Sequence, residues 1–386
     1  MFPTVDPIPL PAPIWLFKLL HIVTLSLHFV AMQMLVGGLA LVAALSFLGN
    51  RAGTRNLLQL QGAAAIAKRL PVVTTYVINL GVPPLLFTQV LYGQAIYTSS
   101  VLIGAYWISV IALLTLAYWL FYKIAEKTES HQPAWVMTLV AFSIVLIIGR
   151  IYSTNMTLML RPEVWQAMYS NSAFGTALPE GDPSLTPRWL LMMSGGIAFG
   201  GLWMIWISGT NKSLSSELRL FLEKIGGSVG AVAVAVHLAC GIWAYVVQSE
   251  AVRVGLGASL LYQVYAGLWL VLTVALLAIA LLSSVKPASN ILVAWAVPLV
   301  TLLSTVGLVS YRDGVRDVTL LQKGFDVWDR VVVTNWSVVA IFLVLFVAGL
   351  GVVGWLATVM LQAKSKKNST GMGVQNEVSA TVTEGV

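Results

Sequence analysis

At 58% hydrophobic and only 10% charged residues over 386 positions, with a mean hydropathy of +0.86, this chain is far from a soluble domain, which carries about 25% charge. It reads as an integral membrane protein, so its net charge of +7 reports loop topology and not a nucleic-acid surface. A single cysteine, Cys240, excludes an intrachain disulfide and a cysteine-ligated iron–sulfur cluster.

Apolar runs of roughly 20 residues mark spanning helices. Nine are read, at about 14–48, 72–98, 101–123, 133–160, 188–208, 226–248, 258–284, 287–310 and 332–361. The fold class is therefore all-α, a polytopic membrane helix bundle with about nine transmembrane helices. The N-terminal MFPTVDPIPLPAP has no basic stretch before its first apolar run, which argues against a removable signal peptide. Arg51, Arg55, Lys68, Arg69, Lys123, Lys127, Lys212, Arg219, Lys224, Lys286, Lys364, Lys366 and Lys367 all fall in connections on one side. By the positive-inside rule that side is cytoplasmic, with the N-terminus outside and the C-terminus inside. Residues 1–362 read as one membrane domain, and the polar Ser/Thr/Gly-rich stretch 363–386 as a disordered cytoplasmic tail.

The first span carries two histidines, His21 and His28, in LLHIVTLSLHFVAMQM. Seven residues is close to two helical turns, so both rings share a face, roughly 10 Å apart along the axis. The second span holds Pro83–Pro84, which must disturb the helix. Beyond it, Gln89 and Tyr92 could hydrogen-bond a quinone carbonyl. The third and fourth spans offer hydroxyls such as Tyr106, Thr115 and Ser143 but no carboxylate, and no aspartate or glutamate is read deep in any span.

Arg150 lies in LIIGRIYSTNMTLML, two to three turns from the end of the fourth span. An unpaired guanidinium is costly there, and haem propionates are acidic enough to answer it. The outside segment 161–187 mixes aromatics with Gly and Pro. The sixth span brings a third histidine, His237, in AVAVAVHLACGIWAY. A second outside segment, 311–330, alternates charged and apolar residues and reads as a short amphipathic helix on the interface. Together the two outside segments would form either a platform for a docking protein or an ordinary lid over the helix ends.

Of four histidines in the chain, three are intramembrane. Counted at 1.5 Å per residue from the outer boundary, His21 is about 7, His28 about 14 and His237 about 11 residues deep. Haem iron accepts an imidazole on each face, so His21 or His28 could meet His237 across a b-type haem. Two haems on His21 and His28 would nearly touch, so one of the two ligates. A hydrogen-bonded contact between helices or a quinone-site donor is the alternative for each.

The order of these features resembles subunit I of the cytochrome bd-type quinol oxidases over most of residues 20–362. His28 with LVGGLALVAAL matches that family's first-helix haem histidine. Ile78–Asn79, Gly81–Val82 and Tyr92–Gly93 match its second helix, and Leu158-Met159-Leu160-Arg161-Pro162 keeps the Met and Pro that end its fourth. The departures are large. No histidine stands near Leu191–Met193, and Gln263-Val264-Tyr265-Ala266-Gly267 lacks the methionine ligand. Tyr311-Arg312-Asp313-Gly314-Val315 replaces the outer motif, and the quinol-binding loop shrinks to about residues 249–257. The resemblance implies a respiratory protein of a bacterial or archaeal inner membrane, with haem and quinone/quinol as cofactors and other membrane subunits and lipid around it.

The leading expectation is an electron-transfer subunit that binds b-type haem through His21, His28 or His237, with Arg150 on a propionate. It would pass electrons between quinone/quinol and a partner such as a c-type cytochrome or another extrinsic redox subunit on the outer face. No CxxCH is present, so a covalent haem would belong to that partner; no nucleic acid is involved. The alternatives are a quinol oxidase that reduces oxygen and a haem-free membrane anchor. A transporter would want internal repeats and broken helices, and only Pro83–Pro84 fits.

Overall fold

Backbone amides in lipid must be satisfied within the chain, which leaves an apolar run the choice of helix or closed barrel. The computed structural model describes residues 2, 9–51, 56–179, 181–352 and 354–355; the expected tail at 363–386 lies outside them. The apolar runs are helices. In order they are α1 (Ile14–Leu48), α2 (Leu57–Ala67), α3 (Leu70–Leu102), α4 (Gly104–Glu129), α5 (Trp135–Leu158), α6 (Pro162–Asn171), α7 (Leu185–Thr210), α8 (Ser216–Val246), α9 (Glu250–Ala258), α10 (Leu260–Val285) and α11 (Ile291–Gln322), then α12 (Trp336–Val352). Among the described residues eight spans, α2 and α3 counted together, are long and apolar enough to cross a membrane. The shorter α12 stands at the ninth expected position.

The chain divides into two compact units. The smaller joins the stretch around Leu10 to residues from Val331 onward. Leu10 N–H donates to the Val331 carbonyl at 2.8 Å, Val333 N–H returns to Leu10 at 2.9 Å, and α12 follows.

In the larger unit, Ile14–Arg330, α1 and α7 are central. Each buries 72% of its most apolar window, against 22–39% in the other spans. Glycine makes their contact possible: a Cβ on Gly37 would stand 2.1 Å from the Gly196 carbonyl oxygen. On its other side α7 packs most extensively against α8, where a Cβ on Gly201 would stand 2.6 Å from the Gly226 carbonyl oxygen. Side-chain oxygens of Ser215, Ser249 and Asn290 accept the first free N–H groups of α8, α9 and α11, as helix starts require. Pro83 and Pro84 lie inside α3, and the departure from helical dihedrals comes later, at Tyr92 (φ −126°, ψ 31°).

The segment 311–330 corrects the sequence reading. It is not a separate interfacial helix: up to Gln322 it continues α11. Asp313, Arg316 and Asp317 recur at spacings of three and four, so they share a helix face. That face turns inward, onto Lys18 of α1. Lys18 Nζ donates to Asp313 Oδ2 at 2.8 Å, to Asp317 Oδ2 at 2.5 Å and to the Tyr92 hydroxyl at 2.6 Å. Tyr92 in turn donates to Asp317 Oδ1 at 2.6 Å. The expectation that no carboxylate lies within a span is thereby overturned, because a charge run that looks like a loop is held by cations on neighbouring helices. Glu223 of α8 is also buried, accepting the Ser289 N–H at 2.5 Å.

The segment 161–187 closes the same end of the bundle. Glu163 reaches Lys323 at 3.2 Å, and Arg161 reaches Asp182 at 3.7 Å. Gly175, at φ +68°, presents its carbonyl to the Ala105 N–H at 3.1 Å.

Thermal unfolding of the detergent-solubilised chain reads this packing directly. Gly37→Val should cost about 1–3 kcal/mol or more by overpacking, whereas Gly267→Ala, with nothing within 4 Å, should be neutral or gain about 0.5–1 kcal/mol. Lys18→Met strands two buried carboxylates and should cost about 3–5 kcal/mol; adding Asp317→Asn should recover part of that loss.

Candidate functional site

Two imidazoles of α1 meet two carbonyls of α3 in step. His21 Nδ1 lies 3.2 Å from the Pro84 carbonyl oxygen, and His28 Nδ1 lies 3.0 Å from that of Val77. Val77 and Pro84, like the two histidines, are seven residues apart. A carbonyl only accepts, so Nδ1 carries the proton in both rings and Nε2 keeps its lone pair. The two Nε2 atoms differ in what they meet. That of His21 accepts from Arg316 Nη2 at 3.2 Å. That of His28 has no hydrogen-bond partner among the described residues. His28 is half-buried, and its ring lies on Gly81, where a Cβ would stand 2.9 Å from Cε1.

His237 of α8 repeats this construction on α7. Its Nδ1 donates to the Leu191 carbonyl at 2.9 Å, and its ring lies on Gly195, where a Cβ would stand 3.0 Å from Cε1. In both places the glycine follows the accepting carbonyl by four residues. The Nε2 of His237 is taken, however, by the Trp269 indole N–H at 3.3 Å. Beside it is a cavity of about 30 Å³ lined by Gln33, Trp269, Thr273, Thr301 and Ser304 among others. That space suits water; a drug-sized or larger ligand needs about 300–1,000 Å³.

These observations test the fit of a haem. An imidazole whose Nδ1–H is held by a carbonyl is the usual support of a metal-ligating histidine, because it fixes the tautomer and raises basicity at Nε2. His28 meets that description with a free Nε2. His21 and His237 have both ring nitrogens engaged, and no two of the three histidines share a partner. Among the described residues no group of three or more His, Cys, Asp or Glu side chains is arranged to hold a bare metal ion.

The other residues singled out from the sequence are placed as follows. Arg150 directs both terminal nitrogens to Thr186 Oγ1, at 3.3 and 3.4 Å, and lies 5.7 Å over the Trp189 ring. Gln89 is half-buried on α3. Tyr92, fully buried, spends its hydroxyl on Lys18 and Asp317. The largest group that the sequence reading missed is ionic: Lys18, Asp313, Arg316 and Asp317, with Arg188 and Arg312 beside them. Its signals were a lone lysine in the apolar LFKLLHIV, one turn before His21, and the i, i+3, i+4 charges of 313–317. The Arg316 guanidinium stacks 4.5 Å over Tyr92 and reaches Asp313 Oδ1 at 3.4 Å, so the His21 contact belongs to the same network.

No protein-family model and no curated protein matches the sequence. Among solved structures, the bd oxidase from Geobacillus thermodenitrificans aligns with a TM-score of 0.63 at 9% identity, over 88% of this chain and 96% of that one. The arrangement of membrane helices is thus that of a bd oxidase chain, reached by a sequence that shares little with it.

Proposed function

We propose that this chain is a membrane-embedded respiratory electron-transfer subunit that holds one b-type haem through His28. In this reading it moves electrons between quinone/quinol and a partner redox protein. The observation that carries the reading is His28 itself: a neutral imidazole, oriented by the Val77 carbonyl, with a free Nε2, on a helix bundle of bd-oxidase fold. Haem, when bound, supplies one-electron redox chemistry. The protein's part is positional. Val77 holds the Nδ1 proton, and Gly81 leaves room for the ring. Gln89, further along α3, is the donor offered to a quinone carbonyl, since the Tyr92 hydroxyl is committed to the ionic network.

The face of α3 that carries Ile78, Val82, Leu86 and Val90 is apolar and exposed, which suits lipid or another membrane subunit. The end closed by 161–187 is where a c-type cytochrome or other extrinsic subunit would dock, on the outer face of a bacterial or archaeal inner membrane. Two other readings have an observation each. The saturated nitrogens of His21 and His237, with only about 30 Å³ beside the latter, favour a haem-free anchor. A single free imidazole, which leaves iron a further position, favours oxygen reduction.

Pyridine haemochrome assay of purified variants tests the haem and its ligand, and separates both haem-bound readings from the haem-free anchor. About one haem per chain is expected in the wild type, lost in His28→Ala and kept in His237→Ala and His21→Ala. Haem retained in His28→Ala would remove His28 as the ligand, and a wild type purified without haem would leave the anchor.

A further inference from the structure

The ionic network is unbalanced. Around Asp313 and Asp317 stand Lys18, Arg316 and Arg312, three cations to two carboxylates, and Arg188 adds its charge beside Arg316. Lys18 and Arg316 are only 5% exposed, and Arg188 and Arg312 are half-buried. Both carboxylates are consumed by Lys18, Tyr92 and the Nη2 of Arg316. Arg316 Nη1 is buried with no hydrogen-bond partner. Arg312 lies 5.6 Å over the Phe29 ring and, like Arg188, makes no hydrogen bond or ion pair among the described residues. Asp182, whose charge acts on Arg188, gives Oδ1 to Ser184 and Oδ2 to Arg161.

The three guanidinium groups are neighbours. Arg312 lies within Coulombic reach of both Arg316 and Arg188. Phe29 beneath Arg312 forms an apolar cluster with Leu25 and Val309, against which Met192, one turn along α7 from Arg188, packs. Arg312 and Arg316 are four residues apart on α11 and so share a face. Like charges withdrawn from water without an acceptor are unstable, and guanidinium is the side chain best matched to a planar, bidentate oxyanion.

We propose that Arg188, Arg312 and Arg316 form a binding site for an oxyanion, a carboxylate or phosphate group, between α1, α7 and α11. Its buried anchor is Arg316 Nη1; Arg312, one turn earlier on α11, and Arg188 of α7 complete it. Two sources share the chemistry. One is the carboxylates of a haem held by His28, which rests on the function proposed above. The other is phosphate, free or on a lipid, which does not.

The test uses the full chain in a phosphate-free detergent, as haem-free and haem-loaded preparations, with Arg188→Gln and Arg312→Gln singly and together. In haem-free protein, inorganic phosphate should raise the thermal midpoint relative to chloride at equal ionic strength. Each substitution should weaken the apparent phosphate affinity about tenfold or more, the loss of one charge-assisted contact. Without phosphate, the same substitutions should leave the midpoint unchanged or raise it, since they relieve repulsion; this separates anion binding from a folding role. In haem-loaded protein, loss of the phosphate effect together with a lower haem midpoint potential in the variants assigns the site to haem carboxylates. Persistence of the phosphate effect there assigns it to phosphate. A midpoint that ignores phosphate in the haem-free protein, or responds equally in the double variant, overturns the site whether or not haem is ever found.

Discussion

Lys18 against Asp313 and Asp317 is the contact on which the arrangement of this bundle turns. It joins α1 near the start of the larger unit to α11 near its end, through Tyr92 of α3. A buried ion pair gives little net stability over a well-packed apolar substitute, but it punishes any register in which one partner is left alone. Two cations, Lys18 and Arg316, meet carboxylate and phenol oxygens here, so sliding α1 or α11 by one turn would leave charges in a dry interior. The network therefore fixes the height of α1 against α3, and with it the pairing of His21 with Pro84 and of His28 with Val77. The free Nε2 of His28 is a downstream consequence of an ionic contact nearly three turns away along α1.

The same logic separates three histidines that look equivalent in a string of apolar residues. Each spends Nδ1 on a carbonyl of a neighbouring helix, the cheapest way to satisfy one polar atom in a membrane interior. What differs is the second nitrogen: a guanidinium meets it at His21, an indole at His237 and nothing among the described residues at His28. A histidine fully hydrogen-bonded at both nitrogens is a structural tie. One with a single tie and an oriented lone pair is a ligand in waiting.

Much of the fold was legible because lipid allows so few backbone solutions. The apolar runs gave the helices, and the two-turn spacing of His21 and His28 gave their common face. Three things were hidden. The run YRDGVRD looks like a loop, since nothing within 311–317 says that a lysine nearly three hundred residues earlier waits for its carboxylates. The glycine under each of His28 and His237 is visible only once Gly81 and Gly195 are known to face a ring. Arg188 and Arg312 carry no signal of their own, because their weight comes from the acceptors that Arg161, Ser184 and Lys18 have already taken.

The most direct test is the optical difference spectrum, reduced minus oxidised, of the purified wild-type chain before and after carbon monoxide. His28 as the one ligand predicts a b-type signal that carbon monoxide shifts, a result that supports the His28 assignment and admits oxygen reduction beside electron transfer. A b-type signal that carbon monoxide leaves untouched would mean a second strong ligand. That ligand would have to come from a side chain now engaged elsewhere, and would contradict the single-ligand assignment of His28.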